Sequence, residues 1–196
     1  MNTRSSLSLV WTVLAIIAFG WSCQERQLQE APVMKQYYDL DSVLEYQITW
    51  LDSLKPQVKK LVILDGQEEE RIDTVRWDRE LIFFEESDIN RPFLRGSYDA
   101  QEITENGFRK IVYSPKDPSD LGVVRLAVYL KSGYLQKIEC VFEERNLLYT
   151  NSRIATMSFS EVGGIPRLTN YQLEGRQKVI LKDPIEYLVK GEVLYL

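Results

Sequence analysis

The stretch Val124-Arg125-Leu126-Ala127-Val128-Tyr129-Leu130, followed across Ser132-Gly133 by Ile138-Glu139-Cys140-Val141-Phe142-Glu143, decides how this chain folds. Successive side chains of a strand point to opposite faces, so Val124, Leu126, Val128 and Leu130 share one face. In the next strand Ile138, Cys140 and Phe142 share a face, while Lys137, Glu139 and Glu143 point away. An apolar face backed by a polar one is the pattern of antiparallel pairing, buried on one side and wet on the other.

Working outward, the same alternation recurs between turn residues. Upstream, Asn106-Gly107 joins residues 97–104 to residues 108–113, the strongest short-range hairpin signal in the chain. The prolines of Ser114-Pro115-Lys116-Asp117-Pro118 then interrupt the pattern. Downstream, Ala155, Met157 and Phe159 form one inward row, and Gly163-Gly164 makes a turn. Tyr171 and Leu173, then Val179 and Leu181, read as two further strands. Ile185, Tyr187 and Val189 make another, and Lys190-Gly191 turns the chain into a last strand over residues 193–196. The spacing predicts an antiparallel β-meander of about seven or eight strands.

Before the meander the period changes. Tyr37, Leu40, Leu44, Ile48, Leu51 and Leu54 recur at helical spacing, with Val43 widening the stripe. Asp39, Asp41 and Glu45 lie towards the end where the helix dipole favours negative charge, and Pro56 closes the segment. Residues 58–64 and 67–73 read as a hairpin about Asp65-Gly66. Asp73 or Thr74 is placed to cap a second helix carrying Trp77, Leu81 and Phe84, ended by Asn90-Arg91-Pro92. The expected fold class is therefore α+β. A long sheet twists and curls, so the meander is expected to form a half-barrel with two N-terminal helices against its inner face.

Chemistry is constrained by what is missing. The chain has no histidine, which removes the commonest neutral-pH base and zinc ligand and excludes Ser-His-Asp and Cys-His arrangements. Glu68-Glu69-Glu70, Glu85-Glu86 and Glu143-Glu144 are the remaining acid/base candidates, and each reads as solvated surface. Asp117-Pro118-Ser119-Asp120 has two carboxylates but not the alternating oxygen ligands of a calcium loop. No catalytic residue, metal ligand set or cofactor signature is expected, and the chain is read as not an enzyme. The net charge of −5 argues against nucleic acid and against attraction to anionic headgroups through a basic face.

Aromatic residues are denser in the first half than a small core needs. Core packing explains most of them. The alternative is a cleft whose walls bind an apolar ligand or a partner, for which Tyr38, Tyr46, Trp50, Trp77 and Phe84 are the candidates. Tyr38 and Tyr46 lie off the helical stripe, which favours contact with something outside the core.

The N-terminus carries a positive residue, Arg4, then an apolar run over residues 7–19, then Gly20-Trp21-Ser22-Cys23. That is the layout of an export signal, and the apolar run is shorter than the roughly 20 residues needed to span a bilayer. Gly20 and Ser22 before Cys23 resemble the bacterial lipoprotein box, in the looser form of Bacteroidota lipoproteins; Trp21 and Phe19 depart from the usual small residue and leucine. The stretch Tyr171-Gln172-Leu173-Glu174-Gly175-Arg176-Gln177-Lys178 also resembles uncharacterised lipoproteins of that group. The half-barrel outline is similar to the lipoprotein-carrier folds of the bacterial envelope, without a diagnostic motif.

The lipoprotein resemblance implies a signal peptide over residues 1–22, acylation of Cys23, a tether over residues 23–32 and a single α+β domain over residues 33–196. An ordinary secretory signal or an uncleaved anchor, with Cys23 incidental, fits the same residues. If Cys23 is acylated, Cys140 has no intrachain partner and reads as a buried thiol. With Gln24 after the cysteine and no dense acidic cluster, the expectation is an outer-membrane lipoprotein facing the periplasm, with surface display open. Its partners are then the lipid bilayer, through Cys23, and an apolar ligand or an envelope protein. An assembly accessory without a ligand pocket is the other reading.

Overall fold

The alternation along the sequence becomes register in space. In the computed structural model, which describes residues 35–117 and 122–195, Leu126 stands opposite Cys140 and Val128 opposite Ile138. Across the next pair Cys140 meets Ala155 and Ile138 meets Met157, so one apolar face continues from strand to strand. The expected leader, Cys23 and the tether lie outside the described residues.

The strands are β1 (Gln57–Leu64), β2 (Gln67–Asp73), β3 (Tyr98–Glu105), β4 (Phe108–Pro115), β5 (Val123–Lys131), β6 (Tyr134–Arg145), β7 (Tyr149–Val162), β8 (Ile165–Val179) and β9 (Ile185–Leu194). They form one open, antiparallel, nine-stranded sheet in the order β2-β1-β9-β8-β7-β6-β5-β4-β3. The meander accounts for seven of these strands, β3 to β9. The N-terminal hairpin adds two more, because β1 pairs with β9 from Gln57 opposite Leu194 to Leu64 opposite Tyr187. The turns at Asp65-Gly66, Asn106-Gly107, Ser132-Gly133 and Gly163-Gly164 all place two successive residues at positive φ, as tight hairpins of this twist require.

Two expected strand breaks are absent. β8 runs unbroken from Ile165 to Val179, so Tyr171 and Val179 lie on one strand, and Leu181 sits in the following turn. β9 likewise continues through Lys190-Gly191 to Leu194. Gly191 is there for close approach: a Cβ on it would lie 2.0 Å from Cζ of Tyr171, whose ring crosses it from the neighbouring strand.

Helix α1 (Leu40–Leu54) starts where Asp39 accepts the Ser42 N–H at 2.9 Å. It stops at Lys55, which takes the left-handed conformation just before Pro56. Tyr37 lies before the helix and packs edge-on against Tyr98 and Tyr113. The expected second helix is two single turns, α2 (Trp77–Glu80) and α3 (Ile82–Glu85), hinged at Leu81. Asp73 bonds only the adjacent Thr74 N–H, and no side chain caps Arg76. Segments this short have no intrinsic stability, so burial of Trp77, Leu81 and Phe84 holds them. Leu40, Leu44 and Leu51 join these three in a single core with Leu126, Ile138, Met157 and Leu168 of the sheet.

One polar side chain interrupts the apolar stripe of α1. Gln47 is buried, donates through Nε2 to the Pro166 carbonyl at 2.8 Å and accepts the Leu168 N–H on Oε1 at 3.0 Å. The pairing of β8 with β9 begins only at Asn170 opposite Glu192, so these groups of β8 extend past the ladder. Gln47 stands in for the absent strand, and the Tyr195 hydroxyl completes the substitution by donating to the Leu168 carbonyl. Gln47→Leu keeps the size but strands a buried N–H and C=O. The expected loss is about 1–3 kcal/mol of unfolding free energy, measured by urea denaturation.

Candidate functional site

The C-terminal turn of α1, the β7–β8 hairpin and the residue after β9 meet at one end of the sheet. Trp50, Leu54 and Pro56 from the first, Ser160, Val162 and Arg167 from the second, and Tyr195 line a cleft of about 430 Å³. Tyr46 lies four residues before Trp50, hence on the same side of the helix. The Arg167 guanidinium carbon stands 3.8 Å from the centre of the Trp50 ring and 5.5 Å from that of Tyr46. Arg167 also donates to the Tyr46 hydroxyl at 3.0 Å.

Trp50 and Tyr195 pack with ring centres 5.3 Å apart. Burial pushes the Tyr195 phenol up to about 12 against the pull of Arg167, so it remains a neutral donor near neutral pH. Tyr46, Leu54, Val162 and Tyr195 are nonetheless exposed, leaving an apolar wall open to solvent beside a fixed cation. Such a surface can bind an apolar group whose flank offers an acceptor to the guanidinium.

Of the five aromatic candidates, the structure brings Tyr46 and Trp50 together. Tyr38 lies beyond the other end of α1, where its N–H donates to the Tyr113 hydroxyl at 3.1 Å. Burial raises its own hydroxyl to about 12. Trp77 and Phe84 are interior residues away from this cleft; Phe84 instead lines a smaller recess beside Glu80 and Tyr171. Sequence reasoning missed Leu54, Pro56, Val162, Arg167 and Tyr195. Their contribution depends on β8 and β9 ending beside the last turn of α1, a long-range outcome of register.

A second polar cluster ties the layers together. Glu80 accepts from Lys60 at 2.6 Å and from the Tyr171 hydroxyl at 2.7 Å, joining α2 to β1 and β8. Burial first, and then the Glu80 carboxylate, hold the Tyr171 phenol well above its usual range. A recess of about 130 Å³ lies beside them. With its carboxylate engaged by an ammonium and a phenol, this cluster is a brace.

On the sheet face away from the helices, two shallow grooves cross β7, β8, β9 and β1. One, of about 520 Å³, has Ile63, Ile154 and Leu188 on its floor with Glu174, Arg176 and Glu186 around them. The other, of about 360 Å³, is lined mostly by polar side chains, among them Lys59, Glu70, Gln172 and Lys190.

The carboxylate runs do not converge. Glu68, Glu69 and Glu70 lie along edge strand β2, Glu86 pairs with Arg153 at 2.5 Å, and Glu143 and Glu144 end β6 in solvent. Among the described residues no three Asp, Glu, Cys or His side chains gather as metal ligands. Cys140 is buried, and desolvation pushes its thiol up to about 11 despite the opposing Ser87 hydrogen bond, so it is protonated near neutral pH. No helix among the described residues is long and apolar enough to cross a membrane. Searched against known proteins, the chain matches no protein-family model, no curated protein and no solved structure.

Proposed function

We propose that this chain is a non-catalytic envelope lipoprotein, held to the outer membrane by acylated Cys23 and facing the periplasm, whose Trp50 cleft binds an apolar segment of an envelope protein. In this reading the sheet curls into a half-barrel whose inner face α1, α2 and α3 fill. The observation that carries the proposal is the cleft itself, where Trp50, Arg167 and Tyr195 stand beside exposed Leu54 and Val162. Tryptophan, tyrosine and arginine are the residues on which protein contacts concentrate their energy. The interior between helices and sheet is occupied by Leu44, Leu51, Trp77 and Phe84, which favours an external partner over a ligand enclosed there.

A small apolar ligand in the same cleft is the second reading, favoured by its volume, which lies within the usual range of roughly 300–1,000 Å³. The two separate on recovery from membranes. A protein partner co-purifies with the wild-type chain, whereas a small ligand appears only in the extracted small-molecule fraction.

Trp50→Ala removes the central ring and the surface on which Arg167 rests. A central aromatic of this kind contributes at least about 2 kcal/mol, equivalent to a loss of roughly 30-fold in affinity. Tyr46→Phe, which keeps the ring, is expected to change affinity only a few-fold. Undiminished recovery of the same partner by Trp50→Ala would refute the cleft as the binding site. The anchor is tested separately, by the mass of the N-terminal peptide from membrane-extracted protein. Two or more acyl chains on Cys23 are expected, because one chain binds a bilayer only reversibly.

A further inference from the structure

Two adjacent hairpin tips carry four large aliphatic side chains into solvent. Leu147 and Leu148 lie in the β6–β7 turn, Ile180 and Leu181 in the β8–β9 turn, and the Ile180 N–H donates to the Leu148 carbonyl at 2.8 Å. Leu147 is 95% exposed and Leu181 99% exposed. Leu181 also holds a φ of +62°, a left-handed conformation that L side chains other than Asn and Asp seldom adopt. The turn closed by the Lys182 N–H to the Val179 carbonyl at 3.2 Å accounts for this φ, but a leucine is not what such a turn favours there, and the side chain it presents to water points to a contact outside the fold.

The second observation is where these tips lie. In an antiparallel sheet the end of one strand and the start of the next share an edge, so the end of β4, the β6–β7 turn and the β8–β9 turn are at the same end. The chain enters the described domain there too. Tyr37 accepts the N–H of Tyr98 on its hydroxyl at 3.1 Å, and Tyr98 is paired with Pro115, the last residue of β4. The Trp50 cleft, beside the β7–β8 turn, is at the opposite end.

We infer that the Leu147–Leu148 and Ile180–Leu181 tips insert into the surface of the lipid bilayer to which the chain is anchored. This rests on the proposed anchoring through Cys23. Twelve residues run from Cys23 to Met34 and can reach about 40 Å when extended. From β3 to β8 is five inter-strand spacings, about 24 Å, so an acyl anchor and the tips can share one bilayer.

The chemistry favours lipid over a protein partner. The four exposed tip side chains are aliphatic and protruding, whereas the Trp50 cleft presents an aromatic and arginine surface. Arg145, Lys178 and Lys182 flank them against Glu144 and Asp183, giving a locally positive margin on an otherwise acidic chain. That sign suits the anionic headgroups of a bilayer.

The test uses the full acylated chain in phosphatidylcholine vesicles containing phosphatidylglycerol. An environment-sensitive fluorophore is attached at Leu147→Cys, at Leu181→Cys, or at Ser132→Cys in the turn at the opposite end; Cys140 is buried and does not compete. Near-ultraviolet circular dichroism confirms that each labelled chain is folded. The expected result is a blue-shifted emission at positions 147 and 181, quenched by spin-labelled lipid several-fold more than at 132. Equal, weak quenching at all three positions while the chain stays on the vesicles would overturn the inference and leave the anchor standing. A blue shift without lipid quenching would assign the tips to a second copy or another protein, and would also overturn it. If the chain carries no acyl mass yet floats with vesicles, and Leu147→Asp with Leu181→Asp abolishes flotation, the anchor fails and the loop contact stands.

Discussion

Trp77→Ala is expected to cost about 3–5 kcal/mol of unfolding free energy, the range for emptying a large aromatic site in a packed interior. Trp77 is 1% exposed and meets Tyr171 edge-on, ring centres 6.4 Å apart at 80°. Its weight comes from its place. α2 and α3 are single helical turns without a side-chain cap at Arg76, so burial of Trp77, Leu81 and Phe84, with the Glu80 brace to Lys60 and Tyr171, keeps them on the sheet. Trp77→Phe retains part of the packing and should lose less than Trp77→Ala. Urea denaturation followed by far-ultraviolet circular dichroism reads both. A loss below about 1 kcal/mol for Trp77→Ala would mean that the two turns are not part of the cooperative core.

Gly191→Ala is expected to destabilise by at least about 3 kcal/mol, the upper part of the range for overfilling a packed core. The added methyl would lie 2.0 Å from Cζ of Tyr171 and 2.2 Å from Cε1. The ring cannot swing aside freely, because its hydroxyl is tied to Glu80 and it packs against the Trp77 ring in a T-shaped contact. Exposed glycine in a strand would show the opposite sign, since alanine restricts the unfolded chain. Tyr171→Leu clears the clash, so the two substitutions together should cost clearly less than the sum of each alone. Additive losses in that cycle would show that Tyr171 is not what excludes the methyl.

Gly191 also shows where the sequence stops being legible. Alternation along β5 and β6 is a local property, and it identifies Leu126, Val128, Ile138 and Cys140 as buried, but a bulge between Val123 and Arg125 puts Val123 in the core where Val124 is expected. The hairpin turns are equally local, each needing only two residues that tolerate positive φ. Lys190-Gly191 has the same look as Ser132-Gly133, yet its glycine answers to Tyr171 some twenty positions earlier in the chain. Nothing nearby in sequence separates the two cases.

The same limit governs the cleft. Tyr46 and Trp50 are visible as aromatics on one helix, but Arg167 and Tyr195 join them only because β8 overruns β9 beside Gln47. Gln47 reads as a flaw in an apolar stripe until the unpaired groups of β8 are on view. Periodicity predicts the second helix as one element, whereas its fragments owe their shape to the sheet beneath them. Pairing of β1 with β9, which turns a seven-stranded meander into a nine-stranded sheet, is the longest-range feature of all.

The Trp50 cleft lies at the end of the sheet opposite the β6–β7 and β8–β9 tips, so tips inserted in a bilayer would leave the cleft directed away from it. The most direct measurement is site-specific photo-crosslinking in intact cells, from Val162 at the cleft and from Lys131 outside it at the same end of the sheet. A discrete protein adduct is expected from Val162, absent from Lys131 and reduced roughly 30-fold by Trp50→Ala. An adduct of equal yield from both positions, or one that survives Trp50→Ala unchanged, would contradict partner binding at this cleft.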